Sequence, residues 1–364
     1  MKVILTGGGT GGHLYPALAI ADILKKEKQW DVHFVGTKRG LESTVVPESG
    51  YPLHTVWIAG LQRGRFVKNV LFPIKMAVSF LQACALLVKL KPGLVVGTGG
   101  YVSWPVLAAS TFFKIPTAIQ EQNQAPGLVT RIFASKVDHV YLSFELSKRF
   151  YKNKKNLKYT GNPTRDQLDE GTREQGRAHF NLNQDQPVLF IFGGSQGSKV
   201  INEAVLALLP DLMKDTNTQI LWGTGPRWYE TIASQITEYG PRIHAVPYIR
   251  EMHLAYHASN LVLCRSGATT VAEITRLGIA AVYIPFQAAA GGHQEENARV
   301  LQETGAASMI LESELKSSIL KETLVDLIGN PGKREAMATL AHQQGQPRAG
   351  YMICDYLSEL ATQR

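Results

Sequence analysis

Lys2-Val3-Ile4-Leu5-Thr6-Gly7-Gly8-Gly9-Thr10-Gly11-Gly12-His13 is the stretch from which the fold of this 364-residue chain is read. Val3-Ile4-Leu5 is the kind of short apolar run found in buried parallel strands. Beyond the glycines, Leu14, Leu18, Ala21 and Leu24 recur at helical spacing, with Pro16 in the first turn where its missing N–H costs little. The motif is therefore strand, glycine loop, helix. Five glycines remove the Cβ atoms, so backbone N–H groups are expected to face an anionic or hydroxyl-rich ligand at the positive end of a helix. His13 closes the loop and is its one side chain able to move a proton near neutral pH. Gly7, Gly9 and Gly12 also satisfy the dinucleotide fingerprint, which wants an acidic residue at the end of the second strand. That strand, Val32-His33-Phe34-Val35, runs into Gly36-Thr37-Lys38-Arg39 with no carboxylate. A dehydrogenase using Lys38 and Arg39 for NADP stays open as an alternative.

Composition narrows the class. The length favours two α/β domains over one, and 45% hydrophobic with 19% charged residues lets each bury an ordinary core. Cys84, Cys264 and Cys354 are too dispersed for a disulfide framework or metal cluster, so a reducing cytoplasm is expected. A strand and glycine loop stand where a signal peptide would carry its apolar region. No uncharged apolar run reaches the roughly 18 residues of a membrane span. A net charge of +8 suggests an anionic partner. No nucleic-acid motif is present, which leaves a nucleotide or an acidic lipid surface.

Strand-like runs alternate with helical ones: Val32–Val35, Leu94–Val96, Thr117–Ile119, His139–Leu142 and Leu157–Thr160. After Gly161-Asn162-Pro163 the pattern restarts at Val188–Phe192 and continues through Gln219–Trp222, Ile243–Val246, Leu261–Cys264 and Ala281–Ile284. The expected fold class is α/β, two Rossmann-like doubly wound parallel-sheet domains facing a central cleft, divided into residues 1–162 and 163–342. Glycine loops recur at Gly97–Tyr101 and Gly193–Gly197, again at strand ends where parallel sheets bind ligands. Tight strand-to-helix turns would also explain any one of them.

Polar clusters follow several strands. Ser266–Glu273 places small and hydroxyl-bearing residues at a helix start, which suits a diphosphate, and Glu273 can accept two bonds from a ribose diol. The bland reading is a solvated carboxylate near a helix N-terminus. Gln294 and Asn297 share a helical face and either read sugar hydroxyls or cap the helix. Gln120-Glu121-Gln122-Asn123 follows a strand and is either cleft lining or a surface turn. From Gly60 to Lys91, Arg63, Arg65, Lys68 and Lys75 interleave with Phe66, Val67, Leu71 and Phe72. Such a basic amphipathic stretch suits an anionic membrane surface, with part of its apolar content reserved for the core.

Taken in order, Gly7–Ala17, Gly97–Tyr101, Glu121–Asn123, Gly161–Pro163, Gly193–Gly197, Ser266–Glu273 and His293–Ala298 make the chain resemble the MurG family of cell-wall glycosyltransferases over nearly its whole length. The resemblance implies the GT-B fold, with a C-terminal helix of about residues 343–364 returning to the first domain. It implies transfer of N-acetylglucosamine from its UDP donor to the membrane-bound muramoyl-pentapeptide lipid, lipid I, giving lipid II. Carried over, it puts Ser195 and the Ala268-Thr269-Thr270 backbone at the diphosphate with Arg165 nearby, and Val271 and Ala272 among the substrate-binding residues. It assigns the Ile249 main chain to uracil, Glu273 to ribose and Gln294 to the sugar. Thr10, Gly11, Gly12 and Asn123 come from the acceptor half. Trp104 and Gln120 depart from the family pattern on that side. His13 is the first candidate for general base and Glu121 the second. No Asp-x-Asp occurs, so dipoles rather than a metal are the expected counter-charge and no cofactor is expected. The expected location is peripheral, on the cytoplasmic face of the membrane. A UDP-N-acetylglucosamine 2-epimerase and a non-catalytic UDP-sugar sensor stand as rivals.

Overall fold

The structure, a computed structural model, describes residues 1–60, 70–288 and 292–362. Arg63, Arg65, Phe66 and Lys68 of the expected membrane face lie outside the described residues. The chain forms two compact units, Met1–Arg165 with Gln346–Arg364, and Asp166–Gly345.

The first unit is built on seven parallel strands in the order β3-β2-β1-β4-β5-β6-β7. They are β1 (Lys2–Gly7), β2 (Asp31–Gly36), β3 (Leu53–Thr55), β4 (Leu94–Gly99), β5 (Thr117–Glu121), β6 (His139–Leu142) and β7 (Leu157–Tyr159). Every residue of β4 and β5 is buried, as a sheet covered on both faces requires. On one face, Leu14, Leu18 and Ile20 of helix Gly11–Lys28 pack with Ile353, Cys354 and Leu357 of the last helix, Ala349–Thr362. On the other, Ala83 and Leu87 pack with Val106 and Leu107. Helix Gly11–Lys28 ends at Gln29 in the left-handed region, with Lys25, Lys26 and Lys28 complementing its negative end. The strand order reverses between β1 and β4, so a crevice opens beyond their carboxyl ends.

The second unit repeats the plan with six parallel strands ordered β10-β9-β8-β11-β12-β13. These are β8 (Val188–Phe192), β9 (Gln219–Gly223), β10 (Ile243–Val246), β11 (Leu261–Cys264), β12 (Ala280–Tyr283) and β13 (Ser308–Met309). Here the order reverses between β8 and β11.

Three details differ from the sequence reading. β3 and β13 carry no sequence signal, being only three and two residues long. β5 runs on through Gln120 and Glu121, which are therefore buried strand residues rather than a polar turn. Gly161-Asn162-Pro163 packs inside the first unit, and the chain crosses to the second between Arg165 and Asp166. Helix Phe72–Leu90 also exceeds expectation: an 18-residue window of it averages a hydropathy of 1.5, long and apolar enough to cross a membrane.

Candidate active site

In the first unit the switch point brings two of the three glycine loops together. β1 and β4 pair in register from Val3–Leu94 to Thr6–Gly97, the register then shifts so that Gly7 faces Gly99, and the loops that follow enclose the His13 ring. A Cβ on Gly99 would stand 2.9 Å from His13 Nδ1, and one on Gly100 would stand 2.6 Å from the Gly8 carbonyl oxygen. Both residues have positive φ, 98° and 77°, so glycine is required for conformation as well as for space. The second loop thus seats the histidine.

His13 is anchored by one nitrogen. Its Nδ1 lies 3.1 Å from the Thr98 carbonyl oxygen and 2.8 Å from Gln122 Oε1. The Thr98 hydroxyl in turn donates to the His13 carbonyl at 2.8 Å. Among the described residues Nε2 has no hydrogen-bond partner. The ring is therefore half-buried, immobilised and open at one nitrogen.

Two carboxylates near the loops have structural roles. Glu121, the second candidate base, is 3% exposed. Its Oε1 accepts from the Asn123 N–H at 3.1 Å and its Oε2 from the Gly127 N–H at 3.0 Å. Those bonds hold the turn after β5 and leave Asn123 positioned by Glu121. Glu42 escapes a reading of the sequence. Its carboxylate is buried beneath the first loop and accepts from Gly9 N–H at 3.0 Å, from Thr37 N–H at 3.0 Å and from the Thr37 hydroxyl at 2.7 Å. A carboxylate does stand at the end of β2 after all, but one loop N–H is spent on it instead of on a ligand. Thr10 and Gly12 are exposed and Gly11 half-buried at the helix start. Gln120 faces inward, donating to Ser143 Oγ at 3.0 Å and Asn162 Oδ1 at 3.1 Å. Trp104 packs edge-on against Phe133. Both departures from the family pattern thus serve packing. Arg165 belongs to this unit too, its guanidinium 4.9 Å above the Tyr15 ring.

In the second unit the loops after β8 and β11 meet at the other switch point. Ser195 is exposed, and beside it Gly194 has a φ of 94° with nothing within 4 Å of a Cβ placed there. Helix Ala268–Leu277 starts beside this loop, and the Thr269 hydroxyl is buried with no partner among the described residues. Ala268 and Val271 are buried in the helix, while Thr270, Ala272 and Glu273 are part-exposed. Glu273 Oε2 accepts from the Tyr256 hydroxyl at 2.9 Å. Burial, reinforced by the Glu273 charge, pushes the Tyr256 phenol well above its ordinary value, so it stays protonated and donates. Tyr256 is a positioning group without a sequence signal; only the packing of helix Met252–Ala258 reveals it.

Arg265 fastens the loops. It donates to the carbonyls of Ile284 and Pro285 at 3.0 and 3.1 Å and to Ser198 Oγ at 2.7 Å, and pairs with Glu312 at 2.6 Å. Asn297, expected to read sugar, is wholly buried and donates to the Ser266 carbonyl at 3.2 Å. It holds helix His293–Glu303 against the Ser266 loop and faces inward, the capping alternative to reading a sugar. Gln294 is part-exposed, with Oε1 accepting from Phe286 N–H at 3.0 Å. Ile249 buries its side chain beside Gly223 in the irregular stretch after β10.

Residues 3–142 match the glycosyltransferase family 28 N-terminal domain and residues 188–350 its C-terminal domain. The UDP-N-acetylglucosamine–N-acetylmuramyl-(pentapeptide) pyrophosphoryl-undecaprenol N-acetylglucosamine transferase of Halothermothrix orenii is 39% identical, covering 99% of each chain. The crystal structure of Acinetobacter baumannii MurG superposes with a TM-score of 0.79 at 27% identity, covering 98% of this chain and 99% of that one. The UDP-GlcNAc 2-epimerase of Neisseria meningitidis, solved with UDP-GlcNAc, reaches a TM-score of 0.70 at 17% identity over 99% and 100% of the two chains, a likeness of fold alone.

Proposed function

The chain belongs to the MurG family, with both glycosyltransferase family 28 domains in place, and from that premise we infer how its residues divide the chemistry. It is a glycosyltransferase that moves N-acetylglucosamine from UDP-N-acetylglucosamine to the lipid-linked muramoyl pentapeptide, lipid I, in peptidoglycan synthesis. The observation that carries the mechanism is His13, held through Nδ1 with Nε2 open. A sugar hydroxyl is a poor nucleophile, and His13 Nε2 takes its proton as it attacks the anomeric carbon. Attack opposite the departing diphosphate of an α-linked donor inverts that carbon and forms a β-1,4 link. Ser195 and the start of helix Ala268–Leu277 stabilise the leaving charge, with the Thr269 hydroxyl free to donate to it. Glu273, steadied by Tyr256, accepts from the ribose hydroxyls. Gln294 reaches the sugar and the Ile249 main chain the uracil. Thr10, Gly11, Gly12 and Asn123 serve the acceptor half.

The deciding experiment is product analysis with UDP-N-acetylglucosamine and a short-chain muramoyl lipid. The disaccharide lipid and UDP are expected only when both substrates are present. A new UDP-sugar formed without acceptor would make the protein an epimerase, and binding without turnover a sensor. Activity is expected to persist in excess EDTA, because the sequence offers helix starts and no Asp-x-Asp. Loss in EDTA with recovery on Mg²⁺ or Mn²⁺ would hand the counter-charge to an ion.

The acceptor is a lipid, and helix Phe72–Leu90 is the surface that meets it. Its inward stripe is modest: Ser79, Ala83 and Leu87. Its outward stripe is more apolar: Ile74, Ala77, Leu81, Ala85 and Val88 are all exposed, Leu81 by 66%. Phe112, 68% exposed, stands edge-on to Phe80 beside it, with Phe113 next to it. Leu71 is exposed, Phe72 half-buried, and the Lys75 ammonium sits 5.6 Å above the Trp57 ring. A helix more apolar outside than inside suits the acyl boundary of a membrane, and lysine supplies attraction to anionic lipid. Because Ala83 and Leu87 are committed to the core, the helix lies on the bilayer instead of crossing it. Changing Ile74, Leu81, Val88 and Phe112 together to serine should weaken sedimentation with anionic vesicles at least about tenfold, since each large side chain contributes on the order of 1.5–3 kcal/mol when buried. Turnover of a water-soluble acceptor should survive. Unchanged sedimentation would refute this surface.

A further inference from the structure

We propose that Gln122 is a positioning residue that holds His13 in the Nδ1–H tautomer, so that Nε2 presents its lone pair to the acceptor hydroxyl. The inference deepens the general-base reading and rests on it. Its premise is a set of acceptors. Nδ1 of His13 lies 3.1 Å from the Thr98 carbonyl oxygen, which can only accept, so Nδ1 must carry the proton. A neutral imidazole has one N–H, and Nε2 is then bare.

Gln122 makes that arrangement self-consistent. It is 1% exposed, and its Nε2 reaches the Thr98 carbonyl at 2.6 Å, the Gln120 carbonyl at 3.1 Å and the Gln120 side-chain oxygen. All are acceptors. The amide can therefore face them only with its nitrogen, which turns Oε1 toward His13 Nδ1 at 2.8 Å. If the imidazole instead carried its proton on Nε2, two oxygens would face a bare Nδ1, a clash of lone pairs in a part-buried site. Glutamine suits this position in a way a carboxylate does not. It accepts on one side and donates on the other, whereas a carboxylate would turn an oxygen toward the Thr98 and Gln120 carbonyls. It is also neutral, so it orients the ring without adding charge. The charged and titratable groups nearby are Glu42 beneath Gly9, Tyr101 against Gly9 and Glu121 in the adjoining strand end. Glu42 is bonded to Gly9 and Thr37, Glu121 to Asn123 and Gly127, and neither bonds His13.

Three variants and one spectrum test this in the full-length protein. Two-bond ¹H–¹⁵N correlation on histidine-labelled enzyme, with the His13 signal identified by its loss in His13→Ala, should show the Nδ1–H tautomer. Gln122→Met keeps the side-chain length and removes the bond. It should populate the other tautomer and lower kcat about tenfold to a hundredfold, less than a complete tautomer switch because Thr98 remains, with KM for UDP-N-acetylglucosamine nearly unchanged. Gln122→Glu restores an acceptor and adds charge. It should recover part of the kcat lost in Gln122→Met, held back by the oxygen it turns toward the Thr98 and Gln120 carbonyls, and move the acid limb of the pH profile up by about one unit, because an adjacent carboxylate favours the imidazolium. A purely structural Gln122 would move neither tautomer nor pH limb. An Nε2–H tautomer in the wild type, or unchanged kcat in Gln122→Met, overturns the inference while the base reading stands. Wild-type turnover in His13→Ala overturns both.

Discussion

Replacing His13 by alanine lowers turnover by about 10²–10⁴-fold and leaves UDP binding essentially as it was, the usual cost of losing a positioned general base. The expectation rests on an asymmetry in the side chain. Nδ1 is committed to Thr98 and Gln122, and Nε2 has no partner among the described residues. A histidine kept only to cap its own loop would need its bonds and nothing else. The two roles separate in a comparison of kcat with binding. If His13 is structural, its loss loosens the packing around Gly99 and Gly100 and thermal stability falls with activity. If it is the base, kcat falls far more than any loss of melting temperature accounts for, while the UDP dissociation constant holds. Donor binding is insulated because the expected UDP contacts, Ser195, Ile249 and Glu273, all belong to the other unit. Unaltered turnover would strike His13 from the mechanism. Glu121, whose two oxygens hold the turn after β5, would then be the next candidate.

Glu273→Ala should weaken UDP-N-acetylglucosamine binding by roughly 1.5–3 kcal/mol, about ten- to 150-fold, the worth of hydrogen bonds to a charged acceptor. One oxygen already accepts from Tyr256 at 2.9 Å, which fixes the rotamer and leaves the carboxylate aimed before the donor arrives. Tyr256→Phe should therefore cost less, since the charge remains and only its steadying bond is lost. Titration calorimetry with UDP and with a 2′,3′-dideoxyribose analogue separates the contact from general damage. The mutation should penalise UDP alone. An equal loss for both ligands would show that Glu273 supports the loop and does not read the ribose. The variant also leaves Tyr256 with a buried hydroxyl unpaired, so some loss of stability accompanies it.

Much of the chain's plan is legible in order. Apolar runs with helical spacers announce parallel strands, and the restart at Val188 announces a second sheet. The glycine loops and the polar helix starts at Ala268 and His293 stand where the sequence puts them. Less is legible in the polar clusters. Gln120-Glu121-Gln122-Asn123 reads as four equivalent polar residues, yet the fold gives each a separate role. Gln120 braces Asn162, Glu121 ties the turn, Gln122 holds His13, and Asn123 is steadied by Glu121. Asn297 looks like a partner for Gln294 and instead points into the interior.

The sequence by itself determined what depends on near neighbours along the chain. Strand and helix periodicity, the glycines that permit tight loops and the residue types able to move protons are properties of adjacent positions. Only the tertiary structure decided which polar atoms remain free. That is settled by partners far apart in the chain: Thr98 and Gln122 for His13, Glu42 for Gly9, Tyr256 for Glu273 and Ser266 for Asn297. The physical reason is that a buried donor or acceptor left unmet is costly, so each is claimed by whatever the fold brings within reach. An atom's availability for chemistry is what remains after those claims, and they are made across the sheet.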